Sequence, residues 1–331
     1  MKKRIAIICP GRGSYTEKSL GTFSAADPLV QRAETVRAEF DLDPLLDLDG
    51  ADRFSAVKHL RPANVSALIY LSTMLDVRDV IERENVVAVG GNSMGWYTSL
   101  AVAGALSFED GFRLVQHMAL FQESGQPGGQ VIYPQVDGDW SASAELIEAA
   151  DRAVDTSDGE AFLSIRLGGY TVLAGSPKGV AHLMKELPKV TMGKATYPFQ
   201  LAKHGPYHTH LAADVASEAQ HRLTGLGFAS PKMAMVDGRG KRFTPWSSDL
   251  DEMRRYTMGD QVTTPYDFTA SVRVILREYA PDEIVLPGPG NTLGSICAQI
   301  LISERWRGIK SRADFDHVQS SDAPILRSLR R

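Results

Sequence analysis

The residues best placed to do covalent chemistry are a serine and a group of histidines far apart in the chain. Ser93 lies in Gly91-Asn92-Ser93-Met94-Gly95, within the run VVAVGGNSMGWYTSLAVAGAL. Average glycine and serine usage gives a chance GxSxG in about one chain in ten of this length, so the bare pattern carries little. The setting carries more, because the pentapeptide falls between an apolar strand-like run and a helix-forming one. There the two glycines permit a sharp turn that lifts the serine hydroxyl out of a sheet, with a helix N-terminus behind it. A structural serine in a tight turn is the competing reading. A serine hydroxyl is a weak nucleophile at neutral pH unless a base accepts its proton. Three of the eight histidines, His204, His208 and His210, cluster in KHGPYHTHL, where Pro206 fixes a loop ahead of a helical segment. Only one of three so closely spaced can be aimed at Ser93, so the other two are expected to be dispensable. No carboxylate or cysteine completes a metal-ligand set around them. The pair Gly11 and Gly13 in GRGSYT lacks the third glycine of a dinucleotide fingerprint.

Elements that could position these residues follow from the apolar spacing. Short apolar runs at Ile5–Cys9, Val86–Val89, Met233–Val236 and Ile284–Leu286 alternate with longer stretches of helical periodicity. That is the pattern of an α/β protein with a mostly parallel sheet covered by helices. Between Gly125 and His204 the rhythm changes. A glycine-rich stretch leads into strand-like VIYPQV, helical SASAELIEAADRAV, strand-like AFLSIRL and YTVLAG, helical KGVAHLMKEL and strand-like KATYPF. The order βαββαβ is ferredoxin-like and predicts a small domain inserted into a larger one. The predicted division is 1–127 with 203–314 for the large domain and 128–202 for the small one. A helix is expected after His208, a linker around Gly238–Asp251, and a strand-loop-helix at Leu286–Leu301. The polar, weakly patterned stretch after Arg312 is expected to be mobile, with 315–331 as a C-terminal tail.

Composition sets the remaining bounds. A chain of 331 residues with 43% apolar content can bury a large core. A formal charge of −4 and a sequence pI near 6.1 give no global electrostatic reason to expect nucleic acid or an anionic membrane as partner. The apolar run before Pro10 is shorter than a signal-peptide core, and no stretch approaches bilayer-spanning length. A cytoplasmic monomer is therefore expected. Cys9 and Cys297 have no CxxC or Cys/His spacing, which favours buried reduced thiols over a disulfide or a zinc site.

Four segments, in order, resemble those of one known family. PGRGS at Pro10–Ser14 resembles PGQGS; GNSMGWYTSLAVAGALSFED resembles GHSxGEYxALxxAGxLSxED; GPYHTHL at Gly205–Leu211 resembles PFHS/T-x-L; and QVTTPYDFTASV with GPGNTLGSI resembles QxxxPVxWxxSV with GPGxxL. The family is that of the malonyl-CoA:acyl-carrier-protein transacylases and the acyltransferase domains of polyketide and fatty-acid synthases. The resemblance implies an α/β-hydrolase-like large domain with a ferredoxin-like insert. It also implies Ser93 as nucleophile, His208 as its base, and a ping-pong transfer through an acyl-serine. The backbone N–H groups of Arg12 and Met94 would form the oxyanion hole, where the change from glutamine to Arg12 leaves a main-chain donor intact. The backbone carbonyl of Gln261 would orient the histidine in place of a triad carboxylate.

Three departures cluster at the acyl pocket the resemblance implies. Asn92 replaces the family's histidine, Trp96 its glutamate, and the carboxylate-binding arginine, 25 residues beyond the nucleophile, falls on Met118 in RLVQHMALFQES. Arginine pairs bidentately with the malonyl carboxylate; methionine cannot, and a desolvated unpaired carboxylate costs several kcal/mol. Met118 thus favours an uncharged acyl group, unless another cation such as Arg12 holds the carboxylate. The expected activity is acyl transfer from acyl-CoA or an acyl carrier protein to a carrier-protein phosphopantetheine, with no metal or redox cofactor. A thioester hydrolase of the same fold acting on acyl carrier proteins is the alternative. An inactive carrier-binding scaffold is less favoured, because both Ser93 and His208 are kept.

Overall fold

A computed structural model describes residues 2–330. Thirteen strands run along the chain: β1 (Arg4–Cys9), β2 (Asn85–Gly91), β3 (Gly129–Pro134), β4 (Ala161–Leu167), β5 (Tyr170–Gly175), β6 (Val190–Met192), β7 (Ala195–Tyr197), β8 (Phe199–Gln200), β9 (Ala234–Val236), β10 (Arg242–Phe243), β11 (Tyr266–Asp267), β12 (Glu283–Leu286) and β13 (Leu326–Ser328). The larger sheet has the order β10-β9-β2-β1-β12-β13 and is parallel except for β10. Helices cover both faces of its centre, so Ile5–Cys9 is apolar throughout and fully buried. The architecture is the α/β-hydrolase-like one expected, with a smaller second sheet.

Strands β1 and β2 run in parallel with Cys9 opposite Gly91. Their carboxyl ends therefore lie side by side, and the loops that leave them carry Gly11–Ser14 and Ser93. The crevice beyond the carboxyl ends of such strands is where open α/β sheets bind ligands. The helix Phe108–Ser124 packs beside this point; Ser107 caps it by accepting from the Asp110 N–H, and its first turn carries Glu109 and Asp110 against the helix dipole.

The smaller sheet has the order β11-β4-β5-β3-β8. Without β11 this is the 4-1-3-2 order of a βαββαβ unit, with helices Ala144–Asp155 and Pro177–Glu186 packed against it around Val131, Tyr133, Leu173 and Leu183. Two features differ from the sequence expectation. The run read as one strand, KATYPF, is divided: β6 and β7 form a hairpin across Gly193-Lys194, with Gly193 at φ +59°, and β8 begins only after Pro198. Proline has no N–H for the ladder, so the strand cannot continue through it. The fifth strand, β11, comes from the distant segment after Gln261 and pairs in parallel with Ile165 and Arg166 of β4. A two-residue pairing of that kind leaves no periodic trace.

Two stretches expected to be irregular are ordered parts of the larger sheet. The region read as a linker contains β10, which turns back on β9 because the Asp237 carboxylate accepts from the N–H groups of Arg239 and Lys241. The region read as a mobile tail, 315–331, contains the end of the helix Arg312–Gln319 and then β13, which lies beside β12 with Leu326 opposite Ile284. Arg327 bonds to Glu84 and Glu283, and Arg330 to Asp76. This segment is fixed by ion pairs and main-chain pairing rather than by apolar alternation, which is why its polar sequence looks unpatterned. Among the described residues no helix is long and apolar enough to cross a membrane.

Candidate active site

The turn after β2 is built by close approach. A Cβ on Gly91 would lie 2.3 Å from the Gly95 backbone, and one on Gly95 would lie 2.3 Å from the Cys9 carbonyl oxygen. No side chain fits at either position, so the helix Gly95–Val102 can start directly behind Ser93. Ser93 itself is held at φ +52°, a conformation that costs a non-glycine residue free energy and is kept by its surroundings. On the facing loop His208 is likewise held at φ +61°. Its N–H donates to the Val262 carbonyl at 2.7 Å, and Thr209 Oγ1 donates to the Pro206 carbonyl at 2.6 Å.

These two strained residues meet. Ser93 Oγ lies 2.7 Å from His208 Nε2, and His208 Nδ1 lies 2.6 Å from the Gln261 carbonyl oxygen. A carbonyl only accepts, so the imidazole proton sits on Nδ1 and the Nε2 lone pair faces the serine hydroxyl. Burial draws the His208 pKa down to about 4; the Gln261 carbonyl opposes this and the Arg12 charge adds to it. The ring is thus neutral, and able to accept a proton, across the physiological range.

Gln261 follows directly after a π-helical turn, Tyr256–Asp260, a distortion frequent at functional sites. Its side chain also takes part. Gln261 Nε2 donates to the Ser93 carbonyl at 3.1 Å, and Gln261 Oε1 accepts from the Tyr97 hydroxyl at 2.5 Å. One residue therefore ties the serine turn, the helix behind it and the histidine together. Tyr97 was not singled out by sequence reasoning, although it lies in the GWY that matches the family's GEY.

Arg12 and Met94 flank Ser93 in a small side pocket, and among the described residues neither backbone N–H donates to a protein acceptor. Two main-chain donors beside a serine suit an oxyanion. The side pocket has a volume of about 20 Å³, and Met118, Tyr97 and Tyr207 are among the residues that line it. Met118 is 3% exposed, and its carbonyl accepts from the Tyr207 hydroxyl at 3.1 Å. The Arg12 guanidinium lies 5.9 Å from the Tyr207 ring centroid and donates to the Lys203 carbonyl at 3.4 Å, and no carboxylate among the described residues pairs with it.

On the other side of Ser93 a cavity of about 670 Å³ opens between the two sheets. Its walls are largely apolar, with Ile132, Leu167 and Val172 from the smaller sheet and Tyr197 from the β6–β7 hairpin, along with Leu293 and Ile296. Asn92 lines it beside Ser93, and its buried Oδ1 has no hydrogen-bond partner. Trp96 lies elsewhere: it is fully buried against Phe243 and Tyr256, donates from Nε1 to Thr257 Oγ1 at 3.0 Å, and lines neither cavity. The helix Gly95–Val102 turns this position away from the serine into the core, so Trp96 is a packing residue rather than part of the acyl pocket expected of it. His210 packs edge-on against Phe162 at 4.5 Å, whereas His204 does reach the broad cavity. Burial pushes the thiols of Cys9 and Cys297 up to about 12, so neither ionises near neutral pH.

A parallel sheet with a serine-histidine pair at the carboxyl ends of its central strands, beside a ferredoxin-like sheet, is an arrangement suited to acyl chemistry at a serine. No family model matches the chain. The malonyl CoA-acyl carrier protein transacylase of Bacillus subtilis is 23% identical over 303 residues, which cover 90% of each chain. Among solved structures, the malonyl-CoA:acyl carrier protein transacylase of Xanthomonas oryzae superposes with a TM-score of 0.74 over 99% of this chain and 95% of its own, at 19% identity. A malonyl-transacylase solved with its type II polyketide synthase acyl-carrier protein superposes with a TM-score of 0.74 over 90% of this chain and 93% of its own, at 20% identity. With its four motifs in order and relatives matched over nearly the full length, the chain is similar to malonyl-CoA:acyl-carrier-protein transacylases and shares their fold.

Proposed function

We propose that the protein carries a short, uncharged acyl group from a thioester donor to the phosphopantetheine thiol of an acyl carrier protein, through an ester on Ser93. The observation that carries this reading is the 2.7 Å contact between Ser93 Oγ and His208 Nε2 beside a pocket of about 20 Å³ lined by Met118, which carries no charge. That volume is about one water- or methyl-sized group, enough for the methyl of an acetyl group.

The chemistry then runs in two halves. Ser93 Oγ attacks the thioester carbonyl as His208 Nε2 takes its proton, and the Met94 and Arg12 N–H groups receive the developing oxyanion. Collapse of the tetrahedral intermediate breaks the C–S bond, and the departing thiolate takes the proton from His208. The carrier thiol next gives its proton to His208 and attacks the ester carbonyl. Cleavage of the C–O bond returns the proton to Ser93. Throughout, the Gln261 carbonyl stabilises the transient imidazolium through Nδ1–H. Only the thioesters themselves are needed as reactants.

A second reading has an observation of its own. The Arg12 guanidinium reaches the side pocket without a carboxylate partner, so it is the group that would hold a malonyl carboxylate in place of an arginine at 118. Intact-protein mass spectrometry after incubation with acetyl-, propionyl-, butyryl- and malonyl-CoA separates the two. The uncharged reading expects an acetyl adduct on Ser93 in preference to malonyl. Preferential malonyl labelling that is lost in Arg12→Gln establishes the second reading instead. Release of free acid without carrier protein, at a rate matching acylation, would mark the protein as a hydrolase.

A further inference from the structure

We infer that His204 is a specificity-determining residue that accepts a hydrogen bond from an amide N–H of the pantetheine arm of the thioester substrate; this rests on the thioester reading above. The Tyr207 carbonyl oxygen makes no backbone bond and must be satisfied by a side chain; Ser164 Oγ lies 2.9 Å from it. The Ser164 proton is thereby committed, so the bond of 2.7 Å between Ser164 Oγ and Gln130 must have Nε2 of the glutamine as donor. That fixes the Gln130 amide with Oε1 toward His204 Nδ1, at 2.7 Å. Gln130 Oε1 only accepts, so the His204 proton is on Nδ1. His204 Nε2 is left as a bare lone pair on the wall of the broad cavity, with no partner among the described residues.

The position of this acceptor says what it would meet. The cavity reaches the surface past the exposed Phe199, Asn291 and Thr292, so an arm that delivers its thioester to Ser93 from outside must pass along it. Most of that path is aliphatic and suits methylene and gem-dimethyl groups. A pantetheine arm also carries amide N–H groups, which lose water on entering such a wall and need an acceptor there. Charge excludes other roles. Burial and the neighbouring Arg12 and His208 hold His204 well below its ordinary pKa, so it stays neutral and cannot act as a cation toward phosphate.

Two isosteric substitutions test this on the full-length protein. In His204→Asn the side chain still reaches Gln130 at the Nδ1 position but lacks an atom at Nε2, whereas His204→Gln keeps an acceptor near Nε2. The expected result is a KM for acetyl-CoA raised about five- to tenfold in His204→Asn, with kcat for Ser93 acylation within about twofold and with recovery in His204→Gln. The same measurements with the acetyl thioester of a simple alkanethiol, which has no amide, should give equal values for wild type and His204→Asn. An equal loss on both thioesters, or an unchanged KM for acetyl-CoA, overturns the inference. If no thioester acylates Ser93 in the wild type, the underlying reading falls and this one with it.

Discussion

The two sides of Ser93 are built differently. The side pocket of about 20 Å³ is lined by Tyr97 and Gln261, which bond to each other and to the Ser93 carbonyl, and by Tyr207, which bonds to the Met118 carbonyl. The cavity of about 670 Å³ is walled by strand side chains of the smaller sheet, which make no bond to Ser93 or His208. On the proposed function, choice of acyl group would sit beside the bonded Ser93–His208–Gln261 framework, and recognition of the arm would be spread along a wall.

The sharpest way to break this picture is to remove the chemistry common to both sides. Ser93→Ala is expected to abolish acyl-enzyme formation, read by intact mass spectrometry; an adduct on that variant would refute the assignment. His208→Ala should slow acylation by about three to six orders of magnitude with an unchanged circular-dichroism spectrum, since nucleophile and base act as a unit. Next in size come changes to the narrow side. Met118→Ala should extend the accepted chain from acetyl to butyryl while costing about 2–4 kcal/mol of stability, measured by acylation rates across a CoA series and by urea denaturation. Met118→Arg should shift kcat/KM toward malonyl-CoA only partially, because the new side chain enters a small pocket that Tyr207 also lines. Tyr97→Phe, which strips the hydroxyl from Gln261 Oε1, should lower kcat about tenfold and leave KM nearly unchanged. The smallest effect is on pH. His208 is neutral above a pKa of about 4, so kcat/KM should hold as pH falls through the usual imidazole range and drop only near pH 4. An acid limb near 6.5 would mean that the ring is more hydrated than its burial implies.

The serine turn was legible because its sequence signal is local, whereas the choice of His208 among three neighbouring histidines came from the family resemblance. Gly91 and Gly95 stand where any Cβ would collide with backbone, and KHGPYHTHL places a histidine on a loop before a helix. The parallel core was legible from apolar runs that are buried on both faces. What could not be read depends on contacts between distant segments. Trp96 is a pocket residue by the resemblance, because it stands where the family has a glutamate; the turn of its helix sends it into the core instead. His204 was taken as dispensable because one histidine sufficed for Ser93. Its role depends on Gln130 and Ser164, which nothing in the sequence connects to it. The strand β13 was hidden for a related reason: Arg327 and Arg330 are polar residues with buried or half-buried partners at Glu283, Glu84 and Asp76.

The short strand β11 gives the active site a mechanical property. Tyr266 and Asp267 pair with β4 at the rim of the ferredoxin-like sheet, only a few residues after the carbonyl of Gln261 that aims His208. The Tyr266 hydroxyl meanwhile donates to the Gly91 carbonyl at 2.6 Å, at the root of the serine turn. A rocking motion of the smaller sheet would pull on this one segment from both ends. Any displacement of that sheet would therefore act on the carbonyl that aims the base and on the root of the serine turn together, through two residues.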